Sequence, residues 1–269
     1  MKLYHYTSID ALAMILKNRT IRFNRLDKVD DIEEASMFED TIPMGKYVFV
    51  SCWTNDAEES IPLWKMYTPS MKGVRISLDI DMFDVKMTSI GDYPTALGVV
   101  SVVEDIQTYF SPQEQYTPHY FIAHLGEKQT SFFQEVNYVD DLTNIGKKAV
   151  CRESNESEFR TNVNSHKVGT YKHKRWAFQK ECRFVLTILP VAPGSDPVPC
   201  RIDAAMCNGQ ELPFSFYDMH LSAKVLQDME ITLSPCSTIS DQIIVESLVW
   251  SLNPSAKVEK SHLQGLIRR

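Results

Sequence analysis

Within the segment KECRF, residues 180–184, charged and apolar side chains alternate from Glu181 onward. In an extended chain, residues two apart share a face. Glu181 and Arg183 then point one way with Gln179 beside them, while Cys182, Phe184 and Leu186 point the other way with Phe178. A carboxylate next to a guanidinium stays ionised at neutral pH. Glu181 is therefore the candidate catalytic group, held in a cleft by Arg183. The competing reading is an exposed ion pair of little energetic consequence.

Three more stretches carry residues suited to a ligand site. In YHYTS (4–8), His5 and Thr7 share a face, and together they offer donors and acceptors able to grip a sugar hydroxyl or an amide. The alternative for His5 is a core imidazole bonded to a backbone carbonyl. In PLWKMYTPSMKG (62–73), Trp64 and Tyr67 stand three apart on a helix, close enough to wall a slot for a flat heterocycle or simply to fill core. VSCWT (50–54) places Ser51 and Trp53 at the end of a buried strand.

Other chemistries lack support. The acidic run DDIEEA, with Asp30, Asp31 and Glu34, reads as a solvated helix start in preference to a metal site, so no metal ligands are assigned. There is no G-x-G-x-x-G, no P-loop and no nucleophile elbow. The cysteines at 52, 151, 182, 200, 207 and 236 contain no C-x-x-C pair, which argues against zinc and disulfides and for reduced thiols in a cytoplasmic protein. A net charge of −7 disfavours broad capture of nucleic acid or anionic membrane. YKHKRW (171–176) remains able to form a local basic groove. Neither a membrane span nor a secretory signal is expected.

The elements that must position these groups follow from periodicity. KLYHYT, TIRFNRL, KYVFVSCWT and GVRISLDI read as strands, and SIDALAMILKNR as a helix capped by Ser8. DAEESIPLWKMYTPSMKG predicts a helix with proline in its first turn. DKVDDIEEASMFEDTI predicts a helix with its carboxylates near the start. Further strands are expected at ALGVVSVVEDI, FFQEVNYVDD, the end of YKHKRWAFQKECRFVLTIL, PCRIDAA, MEITLSP and AKVEKSHL, with a helix at TISDQIIVESLVWSLNP. Strands mixed irregularly with helices predict one α+β domain over 1–269, with mixed, mostly antiparallel central sheets, flanking helices and an insertion around 81–131.

The blocks LYHYTSIDALAMILKNRTIRFNRLDKVDDIEEA, VFVSCWT…PLWKMYTPSMKGVRISLDI, NYVDD and YKHKRWAFQKECRFVL, followed by MEITLSP and KSHLQGLIR, resemble in content and order a large bacterial family of uncharacterised proteins. This is the domain-of-unknown-function family numbered 2971. Its acidic block usually carries Asn-Asp, where this chain has Asp30-Asp31. More remotely, the layout is similar to the ADP-ribosyltransferases of the diphtheria-toxin and DarT-like type. That resemblance implies an ADP-ribosyltransferase-like fold with NAD as substrate. His5 and Thr7 would match the early strand, Tyr67 the aromatic that stacks on nicotinamide, and Glu181 the glutamate on a ribose hydroxyl. Arg183 would keep Glu181 ionised or contact a phosphate.

The expected function is an NAD-dependent ADP-ribosyltransferase or NAD glycohydrolase, acting as a toxin or phage-defence effector on an acceptor that the sequence leaves open. Two alternatives stand beside it: a non-catalytic nucleotide- or partner-binding module, and a metal-dependent nucleic-acid enzyme built on Asp30, Asp31, Glu34 and Glu181.

Overall fold

The computed structural model describes residues 1–35, 42–124, 132–146, 150–155, 158–163 and 168–267. Among these, a ten-stranded sheet forms the centre of an α+β architecture. Its main path runs Phe133–Glu135, Glu181–Pro190, Val48–Thr54, Lys2–Thr7, Val74–Asp79, Glu230–Leu233 and Lys257–Lys260. Tyr120–Ile122 extends the far end of the long Glu181–Pro190 strand, while Thr20–Arg25 joins Val48–Thr54 to Phe216–His220. Every pairing in this sheet is antiparallel except that of the last strand, Lys257–Lys260, with Glu230–Leu233.

The sheet's core is continuous and strongly apolar. Leu3, Ile76, Leu78, Phe184, Leu186 and Ile231 belong to one buried cluster together with the inner faces of two helices, Ile9–Asn18 and Ile239–Leu252. The first helix starts where its sequence says it should, with Ser8 Oγ accepting from the Ala11 amide. It buries Leu12, Ile15 and Leu16 at helical spacing. The Ile61–Tyr67 helix is set the same way: Ser60 accepts from Leu63 N, and Pro62 occupies the first turn.

One pairing is short in a way that matters. The opening strand pairs with Val74–Asp79 over six residues but with Val48–Thr54 only at Tyr4 and Thr54. Further back on that same edge, Val50 and Phe49 pair instead with Asn24 and Arg25. The edge of Val48–Thr54 is thus shared between two diverging strands, and the ladder opens between them.

Several expectations need correction. PCRIDAA is helical, within Val198–Cys207, because the residues it buries are Ala205 and Met206 with Ile202 against the core, a helical rather than alternating set. The strand expected through Phe178 and Gln179 begins only at Glu181. Lys174–Gln179 is a tight 3-10 turn, ended by Lys180 at a left-handed φ of 44°. The acidic helix is observed as Ile32–Ala35, and residues 36–41 of the expected segment lie outside the described residues. Within the expected insertion, the ladders Lys86–Thr88 with Ile106–Thr108 and Gly91–Thr95 with Gly98–Val102 stand apart from the main sheet.

Candidate functional site

The opening in the ladder is a small cleft, with a cavity volume of about 60 Å³. The opening strand contributes Tyr4, His5 and Tyr6, and Val48–Thr54 contributes Cys52, Trp53 and Thr54. Leu63 and Tyr67 come from the Ile61–Tyr67 helix, and Gln179 and Glu181 from the turn and the start of the long strand. A second groove, about 220 Å³, runs between the first helix and the Thr20–Arg25 strand and shares His5 with the cleft.

His5 occupies the gap where a ladder bond would have been. Its Nδ1 lies 2.8 Å from the Cys52 carbonyl oxygen. A carbonyl only accepts, so Nδ1 carries the proton and Nε2 is left as an acceptor. Burial lowers the imidazole's pKa against the opposing pull of that carbonyl, which keeps the ring neutral at pH 7. The Trp53 ring sits 5.1 Å from His5, and its indole N–H is satisfied by Ser51 Oγ at 2.9 Å.

Behind the cleft lies a buried network of two acids and two bases. Arg183 is fully buried, and its Nε donates to Glu181 Oε1 at 2.5 Å. Its two terminal nitrogens grip Glu34 in a fork, and one also reaches the Gly169 carbonyl at 2.8 Å. Lys172 donates to the other Glu181 oxygen at 2.6 Å and to Gln179 Oε1 at 2.9 Å. The Gln179 nitrogen in turn donates to the Tyr67 hydroxyl at 2.7 Å.

The two carboxylates feel this network differently. Burial works against ionised Glu181, but Arg183 and Lys172 overcome it and hold its carboxyl down to about 2. Burial dominates at Glu34 and raises its pKa despite Arg183. Environments that push paired carboxyls apart are a common mark of functional sites, and also of structural ion networks.

Placement of the sequence candidates divides cleanly. His5, Trp53, Tyr67 and Glu181 line one cleft, although 176 positions separate the first from the last. Thr7 faces the adjoining groove instead. Ser51 is buried behind Trp53, and Trp64 is fully buried against Tyr6 with rings 4.8 Å apart. Arg183 stands behind Glu181 and does not line the cleft. The exposed-pair reading of Glu181 and Arg183 gives way to burial, as does the solvated reading of Glu34. Asp31 is buried too, with Oδ1 capping the Glu33 and Glu34 amides.

YKHKRW is not a free basic patch: Lys172 belongs to the buried network, Lys174 pairs with Asp140 and Arg175 with Glu33. Among the described residues no cluster of three or more His, Cys, Asp or Glu is placed to hold a metal ion. Nor is any helix there long and apolar enough to cross a membrane.

Sequence reasoning missed Tyr4, Tyr6, Cys52 and Thr54 as cleft residues, and Gln179 and Lys172 as the groups that fix its polar wall. The signal for Tyr4 and Tyr6 was present in YHYTS, since a strand beside an open ladder exposes both faces. Lys172 gave none, because a buried lysine inside a basic run looks like its solvated neighbours.

Residues 63–184 match the model of the family described as "Protein of unknown function (DUF2971)", the family that the sequence blocks resemble. The match takes in Tyr67, Glu181 and Arg183 and begins after the opening strand. No curated protein and no solved structure matches the chain.

Proposed function

We propose that the cleft binds NAD and cleaves its nicotinamide–ribose bond, passing ADP-ribose to an acceptor or to water, on an ADP-ribosyltransferase-like scaffold. The observation that carries this reading is the convergence of His5, Tyr67 and Glu181 on one cavity at the split between two strands. The adjoining groove that shares His5 adds room for the rest of a dinucleotide.

The chemistry is consistent with these groups. As the C1′–N1 bond breaks, its electron pair leaves with neutral nicotinamide and positive charge develops on the ribose. Glu181, kept anionic by Arg183 and Lys172, stabilises that charge while accepting from a ribose hydroxyl. His5 Nε2 accepts from a second hydroxyl, Tyr4 and Trp53 wall the ring, and Tyr67 stands at its edge. The incoming nucleophile forms the new bond at C1′ and gives up one proton; with water, the products are ADP-ribose, nicotinamide and a proton.

Nicotinamide release from NAD by the purified protein, with and without cell extract, tests this directly. Glu181→Gln is expected to slow release by about 100-fold or more. Release at the wild-type rate in a folded Glu181→Gln protein would remove the proposal.

One observation favours a second reading. Both Glu181 oxygens are already engaged by cations, which suits a structural glutamate in a nucleotide-binding module without turnover. Tight NAD binding with no nicotinamide release would select it.

A further inference from the structure

The hydrogen bonds behind the cleft fix the direction of one proton. The Lys172 ammonium has donors and no acceptor, so the Gln179 amide must turn its oxygen toward it. The amide nitrogen therefore faces Tyr67, whose hydroxyl oxygen accepts at 2.7 Å. A hydroxyl that accepts along that line aims its own proton elsewhere. Among the described residues, the bond from Gln179 is the one the Tyr67 hydroxyl makes. Burial, with the Glu181 charge nearby, raises the phenol's pKa, so the proton is retained.

Two other groups of the cleft have the opposite polarity. His5 Nε2 and the Glu181 carboxylate are both acceptors. Gln179 itself is buried and held at both ends, which keeps the arrangement from relaxing when a ligand arrives.

We infer that Gln179, oriented by Lys172, presets the Tyr67 hydroxyl as a hydrogen-bond donor into the cleft and so selects ligands that present an acceptor oxygen at that wall. Gln179 is a positioning residue in this arrangement, and Tyr67 the group that touches the ligand. A phenol proton lies near its ring plane, so the acceptor meets Tyr67 at its edge. With NAD as the ligand, a choice that rests on the reading above, the acceptor is the carboxamide oxygen of nicotinamide.

Two measurements test this separately from turnover. In the ligand-free protein, the Tyr67 phenol doublet is isolated by ultraviolet resonance Raman difference spectra against Tyr67→Phe. It should move from acceptor type toward donor type in Gln179→Glu, because a carboxylate there takes the proton. A doublet that does not move overturns the inference whatever the ligand. Binding of nicotinamide and of thionicotinamide, which keeps the shape but accepts weakly, is then compared by calorimetry. The wild type should prefer nicotinamide by about tenfold, the size expected when a buried donor loses its partner. The preference should vanish in both Gln179→Glu and Tyr67→Phe. Equal binding by the wild type, or a preference unchanged in the variants, overturns the assignment. If the doublet moves as expected but neither nicotinamide nor NAD binds, the NAD reading fails and the preset donor stands.

Discussion

Replacing Arg183 with methionine removes the cation that two buried carboxylates share. The wild-type network is balanced: Glu34 and Glu181 against Arg183 and Lys172. Deleting Arg183 leaves an uncompensated negative charge, costs the fork to Glu34 and strands the Gly169 carbonyl. Breaking a buried pair from one side costs about 3–5 kcal/mol. Unfolding entropy near 2.1 cal/mol/K per residue over 269 residues is about 0.56 kcal/mol/K, so Tm should fall by about 5–9 °C. Differential scanning calorimetry reads this directly.

Two controls separate charge from volume. Adding Glu34→Gln to Arg183→Met restores neutrality and should recover at least half of the lost Tm. The deficit of the single variant should also shrink as pH falls from 8 toward 5. Glu34 has a raised pKa in the folded state, so its protonation favours folding below that pKa and the benefit is lost as pH rises through it. A Tm change under about 2 °C, or a double variant less stable than the single one, would show that the network's charge balance is not what holds this part of the fold.

Two further outcomes follow. The folded pKa of Glu181 is about 2 against an ordinary 4.5, so its contribution, of order 3 kcal/mol, is present above pH 4.5 and lost as pH falls toward 2. Urea unfolding at pH 6 and pH 3 should show a steeper loss in the wild type than in Glu181→Gln. At Gly73, between the Ile61–Tyr67 helix and the Val74–Asp79 strand, a Cβ would collide with the Thr7 carbonyl and lie 2.7 Å from Thr68 Cβ. Gly73→Ala should therefore destabilise by about 1–3 kcal/mol, seen as a lower urea midpoint.

Local chemistry in the sequence determined much of this protein. Ser8 and Ser60 cap the helices they precede, Pro62 sits in a first turn, and alternation in GVRISLDI makes a strand, because each depends on neighbours within a few residues. The face shared by Glu181 and Arg183 was likewise legible from spacing alone. Whether that face met water was not, since alternation describes an exposed ion pair and a buried one equally well. Nor did spacing reveal that Gln179 reaches the cleft from a turn, because the left-handed Lys180 breaks the strand's period. The cleft itself belongs to the tertiary structure. It exists because two strands diverge along one edge of Val48–Thr54, and strand pairing between residues far apart in the chain is set by packing of the whole sheet. The same packing turns Lys172 inward while Lys174 and Arg175 stay in solvent, a choice that identical side-chain chemistry cannot announce.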